Sequence, residues 1–358
     1  MTSFTESVRV VGAGLLGTSI GLALTKQGVD VVIASQSPKS VELAVEYGAG
    51  RKAKDSDAPN LIVVCVPPQL TAQIVAKELA DYPEAIVTDV ASVKQSILDE
   101  LIQLGAPVER YIGSHPMAGR ERGGAIAGRA DLFVGRPWVI TPNEKTSPQG
   151  VDLLRRLASL LESSVVEVSP ADHDRAVALV SHVPQLVSSL LAARLVEANS
   201  QDVALAGQGL RDTTRIAASD PQLWMQILSA NSVEVAHVLA AYLSDLQEVV
   251  AALSDLDNKA NFETVESALK AGNQGIEKIP GKHGTKHSTY AQIVVMIDDQ
   301  PGELARLLTE VGEIGINLEE LKLEHSPSAQ IGLVELYVLP TAEQALISDL
   351  QARGWRIA

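Results

Sequence analysis

The spacing of hydrophobic positions changes twice along the chain and divides it into three parts. In the first part, to about residue 168, short apolar runs alternate with helical periodicity, which is typical of a mostly parallel sheet covered by helices. The predicted strands are Val8–Val11, Asp30–Ala34, Leu61–Val66, Ala85–Thr88, Tyr111–Ser114, Trp138–Thr141 and Val165–Val168. The predicted helices between them include Thr18–Gln27, Pro68–Ala80 and Val93–Leu104.

The second part, from Pro170 to about Ala271, shows only helical spacing, so it predicts an all-helical domain. The helices are expected at Ala171–Val180, Pro184–Ala198, Asp220–Asn231 and Ser232–Leu253. By analogy with other proteins that follow a Rossmann domain with a helical one, this domain is expected to supply substrate contacts and a dimer surface. The stretch from 272 to 289 holds several glycines and lysines and is predicted to be a linker.

The third part, residues 290–358, follows the order β-α-β-β-α with a possible last strand, which is a ferredoxin-like pattern. Its predicted elements are Ala291–Ile297, Pro301–Glu313, Asn317–His325, Gly332–Val338, Thr341–Arg353 and Trp355–Ile357. The whole chain is therefore expected to be α/β, with a doubly wound Rossmann sheet at 1–168, a helical domain at 169–271 and a small ferredoxin-like domain at the end.

Composition narrows the possible partners. The net charge of −15 argues against nucleic acid or an acidic membrane as a partner. Five arginines and two acids between Arg110 and Arg136 form a basic island that suits a small anion, although a solvated loop is the plainer interpretation. The single cysteine, Cys65, is expected inside a buried strand as a small hydrophobe. Neither a signal peptide nor a stretch long enough to span a membrane is expected, so a cytoplasmic enzyme is predicted.

A glycine-rich turn follows the first strand. Gly12, Gly14 and Gly17 lie between a strand and a helix, with a second strand close behind, and this is the context that dinucleotide binding requires. Gly12 would permit the tight turn, Gly14 would let the pyrophosphate approach the backbone, and Gly17 would let the helix lie close to its strand. A tight turn in another doubly wound fold is the alternative.

About a hundred residues later, Gly113-Ser-His-Pro-Met-Ala-Gly-Arg-Glu121 places one histidine among small residues. A histidine titrates near neutral pH, so it can exchange a proton where a nicotinamide accepts a hydride. Together with the glycine turn, this segment predicts a nicotinamide-dependent dehydrogenase. By contrast, His283 and His287 lie in the predicted linker, where a metal site is not expected.

Five motifs in order resemble the prephenate and arogenate dehydrogenase family. They are the glycine turn, Asp89-Val-Ala-Ser-Val-Lys94, the segment around His115, Ser181-His-Val-Pro184, and the stretch from Arg211 to Trp224. The segments Asp298-Asp-Gln-Pro-Gly-Glu-Leu304 and Gly315-Ile-Asn317 resemble an ACT domain, a module that usually binds an amino acid. The resemblance implies oxidative decarboxylation of prephenate, or of arogenate to make tyrosine directly, by a homodimer that tyrosine inhibits.

The resemblance also implies roles for individual residues. His115 would be the catalytic histidine and Ser92 the serine that orients it, although Ser92-Val-Lys-Gln95 also resembles a helix-capping box. Arg215 would hold a substrate carboxylate, unless it pairs with Asp212 within a helix. The remaining substrate-binding candidates are His182, Gln185, Glu121 and Trp224. The cofactor-binding candidates are Gly12, Gly14, Leu15, Leu16, Gly17, Ser35, Val66 and Pro67.

Two of these candidates keep alternatives that do not involve substrate. Glu121 would gate the site or else form a surface ion pair with Arg120 or Arg122. Trp224 would lie near the site or else belong to the core.

Two positions depart from the family pattern. Many relatives have a second histidine where this chain has Gln185, and an uncharged amide suits the ammonium group of arogenate. At the end of the second strand, Ile33-Ala-Ser-Gln-Ser37 lacks the acid that usually binds the ribose 2′-hydroxyl of NAD. Ser35, Ser37 and Lys39 would accommodate a 2′-phosphate, so NAD is the expected cofactor and NADP remains an alternative.

Two rival functions stay open. Another Rossmann reductase with a helical domain is one, but such enzymes lack the segment around His115. A catalytically silent amino-acid sensor that retains the dinucleotide domain is the other, and it would bind cofactor without turnover.

Overall fold

The computed structural model describes residues 4–119, 124–279, 290–325 and 331–358. The chain forms two compact units, Met1–Tyr242 and Leu243–Ala358. The first unit contains an eight-stranded sheet and most of the helical region, and the second begins within a long helix and ends in a four-stranded sheet.

The large sheet has the strand order β3-β2-β1-β4-β5-β6-β7-β8. Its strands are β1 Val8–Val11, β2 Val31–Ala34, β3 Arg51–Lys52, β4 Leu61–Val64, β5 Ile86–Asp89, β6 Tyr111–Pro116, β7 Pro137–Thr141 and β8 Ser164–Glu167. The helices along it are α1 Leu15–Lys26, α2 Pro38–Glu46, α3 Pro68–Asp81, α4 Gln95–Gln103 and α5 Pro148–Leu160. The predicted Rossmann architecture is confirmed, because β1 pairs in parallel with both β2 and β4.

The sheet differs from the prediction in detail. It is mostly parallel, but β6 and β7 run antiparallel, which brings His115 opposite Val139. The short β3 and the helix α2 had no counterpart among the predicted elements. Cys65 lies one residue beyond β4 and is half-buried, because the apolar run continues past the strand into the loop.

A helical region follows the sheet, as predicted. Its helices are α6 Pro170–Val177, α7 Val183–Ala193, α8 Ser200–Val203, α9 Gln208–Thr214, α10 Pro221–Ala230, α11 Ser232–Leu253 and α12 Lys259–Ile276. A π-helical turn, Ala178–His182, joins α6 to α7. The last turns of α12 extend into the stretch predicted as a linker, and its residues 280–289, with His283 and His287, lie outside the described residues.

By length and composition, the expectation that no stretch is long enough to span a membrane was wrong. The continuous helical stretch Pro170–Val196 is long enough to cross a bilayer, and an 18-residue window within it has a mean hydropathy of 1.6. The bent pair α10 and α11 passes the same test when it is counted as one span. The sequence pattern missed this because charged residues at the start of α6 interrupt the apolar periodicity, whereas the folded helices run on through the π turn.

The last part of the second unit has the predicted order of elements. They are β9 Ala291–Asp298, α13 Glu303–Ile314, β10 Glu320–His325, β11 Ile331–Val338, α14 Glu343–Ala352 and β12 Arg356–Ile357. The strands pair antiparallel in the order β10-β11-β9-β12. Gly302 and Gly315 adopt left-handed backbone conformations at the two ends of α13, which explains both glycines of the motif.

Candidate active site

A cavity of about 510 Å³ lies beyond the carboxyl ends of β1 and β4, where the strand order reverses. In doubly wound sheets this switch point is where dinucleotides bind. Its lining includes five of the predicted cofactor residues, namely Gly12, Gly14, Ser35, Val66 and Pro67. Leu15 and Leu16 are half-buried at the start of α1, and Gly17 is buried beneath the turn. The turn is therefore placed as a dinucleotide fingerprint requires.

The first two glycines of the turn have different structural reasons. Gly12 has a φ of +116°, and a Cβ there would collide with the carbonyl of Cys65. A Cβ on Gly14 would meet no atom within 4 Å, because this position faces open space. Gly12 is thus required by the fold, whereas Gly14 leaves the backbone N–H groups at the start of α1 accessible to a phosphate.

The end of β2 carries no acid within the cavity. Ser35, Gln36 and Ser40 line this part, and all three are uncharged. The Ser37 hydroxyl caps α2 by accepting a hydrogen bond from the Ser40 N–H at 3.3 Å. The ribose of a bound dinucleotide would therefore meet hydroxyl and amide groups at this point.

His115 lies on β6, near its carboxyl end, and is half-buried. Its Nδ1 is 2.9 Å from Nε2 of His173, a residue of α6. Burial holds the pKa of His115 well below its usual 6.5, and the nearby His173, Lys94 and His182 lower it further. At neutral pH this imidazole is uncharged and able to accept a proton.

A buried ion pair supports the strand end that carries His115. The Lys94 ammonium contacts the Asp89 carboxylate and donates a hydrogen bond to the Ser114 carbonyl at 2.7 Å. Tyr111 donates its hydroxyl to the same carboxylate at 2.7 Å. Burial lowers the pKa of Lys94, and the opposite charge of Asp89 counteracts this shift. The motif from Asp89 to Lys94 therefore fixes the backbone directly before His115.

Ser92 does not form the capping box that its sequence pattern suggests. Helix α4 begins at Gln95, and its N-cap, Lys94, makes no side-chain capping bond. The Asp174 carboxylate takes that place by accepting the N–H groups of Lys94 at 2.8 Å and of Gln95 at 2.9 Å. Within the described part of the chain, the Ser92 hydroxyl makes no hydrogen bond, which leaves it available for substrate or for His115.

A second cavity of about 650 Å³ opens between α7, α10 and the 3-10 turn Arg215–Ala217 that precedes α10. Its polar lining residues are Gln185, Arg215, Ser219, Asp220 and Trp224, and Gly119 belongs to its wall as well. Among the described residues Arg215 has no ion-pair partner, since Asp212 accepts a hydrogen bond from Gln208 instead. The guanidinium is thus free to bind an anion in this cavity.

Other predicted substrate residues have different positions. Gln185 donates to the Ser219 hydroxyl at 2.7 Å, so both side chains form one wall of the second cavity. His182 is 1% exposed and its ring meets Trp224 edge to face, which places it behind that wall. Burial lowers the pKa of His182 to about 4. Glu121, with Arg120 and Arg122, lies outside the described residues.

The sequence pattern missed His173, Asp174 and Asn231. The buried residues of α6 are Pro170, His173, Asp174 and Val177, spaced as one face of a helix. A histidine and an aspartate on that buried face were the available signal, because buried polar groups need partners. Asn231 completes the group by donating to the Asp174 carbonyl at 2.8 Å and lying 3.2 Å from Nδ1 of His182.

Within the described residues, no group of three or more histidine, cysteine or acidic side chains is arranged to hold a metal ion. Burial raises the pKa of the Cys65 thiol well above its usual range, which argues against a nucleophilic role. His115, Arg215 and the dinucleotide cavity remain the candidate features for the chemistry of this site.

Comparison with known families agrees with this arrangement. Residues 20–167 match the family model "Prephenate dehydrogenase, nucleotide-binding domain", and residues 169–267 match "Prephenate dehydrogenase, dimerization domain". A probable prephenate dehydrogenase from Streptomyces niveus is 33% identical over 97% of this chain and 98% of its own length. The prephenate dehydrogenase of Bacillus subtilis is 25% identical over 90% and 89% of the two chains.

Solved structures show the same likeness. An arogenate dehydrogenase from Synechocystis has a TM-score of 0.66 and 31% identity, and the match covers 76% of this chain and 99% of that one. A prephenate dehydrogenase from A. aeolicus in complex with hydroxyphenyl propionate and NAD+ has a TM-score of 0.68 and 25% identity over 77% and 99%. With the nucleotide-binding fold and the buried histidine in place, the chain belongs to the prephenate dehydrogenase family, a family of nicotinamide-dependent oxidoreductases.

Proposed function

We propose that the chain catalyses the oxidative decarboxylation of prephenate to 4-hydroxyphenylpyruvate. The observation that carries the proposal is the position of His115 on a segment whose continuation lines both cavities, since Gly119 belongs to the second and Gly124 to the first. A histidine on this segment would lie between a bound dinucleotide and an anionic substrate. A nicotinamide bound in the first cavity would supply the acceptor for the hydride that leaves C4 of the substrate ring.

The side chains of this chain then have four tasks. His115, uncharged at neutral pH, accepts the proton of the 4-hydroxyl as hydride leaves C4. Arg215 binds a substrate carboxylate through its planar guanidinium. The electron pair of the breaking C–CO2 bond enters the ring, and the proton returns to the new phenol oxygen. Ser92 orients the hydroxyl and His115, and Trp224 closes one wall of the substrate cavity.

Arogenate is the second candidate substrate, and two lining residues favour it. Gln185 uses its amide N–H on Ser219, so its carbonyl oxygen remains able to accept a hydrogen bond from an ammonium. Asp220 adds a carboxylate to the same cavity. The amino acid group of arogenate carries a positive ammonium and a negative carboxylate, whereas the keto acid group of prephenate carries only the negative carboxylate.

We propose NAD as the cofactor, with NADP tolerated. A carboxylate at the end of β2 would repel a 2′-phosphate, and the cavity has only Ser35, Gln36 and Ser40 there. Lys39 lies a few residues after Ser35 and is exposed, so it could also bind the 2′-phosphate of NADP.

We propose that residues 290–358 form an ACT domain of ferredoxin-like topology and that tyrosine binds it and inhibits the enzyme. The strand order and the two glycine-bounded ends of α13 support the assignment. Tyrosine would act by binding one of two states more tightly. A titration should show saturable binding and falling activity, and binding without loss of activity would contradict the proposal.

We propose a cytoplasmic homodimer rather than a membrane protein. The apolar stretch Pro170–Val196 holds His173, Asp174, His182 and Gln185, all buried within the first unit. One face of the stretch is thus packed against its own unit, and its exposed apolar side chains on the other face suit a second copy of the chain.

The test is a set of initial rates with purified enzyme in which prephenate or arogenate is paired with NAD or NADP. Turnover of prephenate with NAD at a kcat/KM above that of the other pairs is the expected result. A clear preference for arogenate would move the enzyme to the second candidate. Absence of turnover in all four pairs would contradict the proposed function and favour the silent sensor.

A further inference from the structure

The base at the centre of the site poses a chemical problem. Burial disfavours a positive charge on His115, and the nearby His173, Lys94 and His182 disfavour it further. A histidine that accepts the substrate proton must nevertheless carry that charge for the lifetime of the transition state. The residues behind the ring therefore decide how effective this base is.

Those residues form a continuous chain of hydrogen bonds. Nδ1 of His115 is 2.9 Å from Nε2 of His173, and Nδ1 of His173 is 2.7 Å from Oδ1 of Asp174. His173 is 1% exposed and Asp174 is 4% exposed, so water does not compete for these bonds. The backbone N–H groups of Lys94 and Gln95 complete the hydrogen bonds of the Asp174 carboxylate.

The chain of bonds defines the proton positions. A carboxylate that accepts two backbone N–H bonds at a helix N-terminus is ionised and has only acceptors to offer. His173 must therefore donate from Nδ1, which leaves its Nε2 bare. His115 must then donate from Nδ1, so its Nε2 is bare and is the atom that accepts the substrate proton.

Resting on the proposed function, we propose that His173 and Asp174 form a relay that holds His115 in the Nε2-acceptor tautomer and shares the positive charge it gains. When Nε2 of His115 takes the hydroxyl proton, its Nδ1–H bond can pass a proton to Nε2 of His173. The imidazolium then lies beside the Asp174 carboxylate. The protons return along the same bonds when the phenol forms, so no net proton is released. His173 and Asp174 are positioning residues, since neither touches the substrate.

The first test reads the tautomer directly and does not depend on turnover. Imidazole nitrogens labelled with ¹⁵N in the full-length enzyme with NAD report which nitrogen bears hydrogen, and the His115→Asn spectrum assigns the signals. We expect His115 with a protonated Nδ1 and a bare Nε2, and a mixture of tautomers in His173→Phe. A protonated Nε2 on His115 in the wild-type enzyme would overturn the relay, even if the proposed function holds.

The second test separates the relay from simple packing. His173→Gln keeps an acceptor for the Nδ1–H of His115 but cannot carry charge, whereas His173→Phe removes both properties. We expect kcat to fall about tenfold or more in the glutamine variant and further in the phenylalanine variant, with KM little changed. The charge of His173 itself disfavours protonation of His115, but its bond toward the Asp174 carboxylate lets the gained charge be shared. We expect the lost sharing to outweigh the lost repulsion, so the acidic limb of the kcat profile should move to lower pH in both variants.

Two results in this second test would contradict the relay. One is an equal loss of kcat in the two variants with an unmoved acidic limb, which is what a purely structural role predicts. The other is an unchanged kcat in His173→Phe. The matched control is His237→Gln, which replaces an exposed histidine on α11 and should alter neither the rates nor the profile.

Discussion

At the scale of single residues, the site combines groups of opposite character. His115 and His182 are both kept uncharged by burial, whereas Arg215 is exposed and has no ion-pair partner among the described residues. His115 suits proton transfer, His182 suits packing, and Arg215 suits binding of an anion. The sequence predicted all three, but only the structure separates their roles, since it places His182 behind Trp224.

The side chain at position 185 should set the substrate preference. The amide carbonyl of Gln185 can accept a hydrogen bond from the ammonium group of arogenate. Gln185→His replaces this carbonyl with an imidazole, which should favour the keto acid prephenate. We expect the ratio of kcat/KM for arogenate to that for prephenate to fall about tenfold. The measurement is kcat/KM for both substrates in both proteins, with Gln201→His, the same change at an exposed glutamine of α8, as the control. An unchanged ratio would remove Gln185 from the specificity argument.

The shifted His182 should make stability depend on pH. Its pKa is about 4 in the folded chain and near 6.5 when unfolded, so between these values only the unfolded chain binds the extra proton. The free energy of unfolding should therefore decrease as the pH falls through this range, by at most ~1.4 kcal/mol per pH unit for this group.

His182→Asn keeps an acceptor for Asn231 and removes the titration. We expect the stability difference between wild type and variant to shrink as the pH is lowered from about 7 to about 4, measured by urea unfolding. The other titrating groups are common to both proteins and cancel. Parallel stability curves would show that His182 does not titrate as its burial implies.

At the scale of elements, the pattern of apolar residues predicted most strands and helices within a few residues. It succeeded for β1, α1, β4 and α3 because each has a continuous apolar run or a periodic face bounded by glycine or proline. It failed for β3, which has only two residues, Arg51 and Lys52, and is held by pairing with β2. Tertiary pairing of this kind leaves no trace in local periodicity.

The cap of α4 shows the same limit for the site. The pattern Ser92 to Gln95 indicates a local capping box, but Asp174, eighty positions along the chain from Lys94, caps the helix instead. No local rule links those two residues. For the same reason the sequence did not indicate the pair His173 and Asp174, although its motifs predicted roles for His115 and Arg215.

The glycine turn allows a clean test of cofactor binding. Gly14→Ala adds a methyl group where no protein atom lies within 4 Å, so the fold should be unaffected. The methyl would stand between the backbone and the pyrophosphate, and we expect affinity for NAD to fall ~10-fold or more. Calorimetric titration with NAD and a thermal unfolding curve are the measurements.

Gly272→Ala serves as the control, because this residue of α12 also has open space around its Cβ position. It should leave NAD affinity unchanged. Normal NAD affinity in Gly14→Ala would show that the dinucleotide does not approach the turn.

At the scale of the whole molecule, the helical region leaves much apolar surface exposed. Leu190 is 64% exposed and Val196 is 84% exposed, on helices that a monomer would leave in water. Isolated exposed apolar residues are ordinary, but a cluster on consecutive helices marks an interaction surface. The match of residues 169–267 to a dimerization domain agrees with this interpretation.

A charge placed on this surface should weaken the dimer. Sedimentation or light scattering should give about twice the monomer mass of 37.9 kDa for the wild type. Leu190→Glu should shift the population toward monomer, because association would bury an unpaired carboxylate. Ile102→Glu, which changes an exposed apolar residue of α4, should remain dimeric. A wild type that is monomeric at micromolar concentration would contradict the account.

The most direct test of the central claim is the stoichiometry of the reaction and its dependence on His115. With prephenate and NAD, we expect one CO2 to be released for each reduced nicotinamide formed. In His115→Asn the rate should fall by about 10²–10⁴-fold while NAD still binds. Reduced nicotinamide without CO2, or full activity in His115→Asn, would contradict the assignment of this site as the centre of an oxidative decarboxylation.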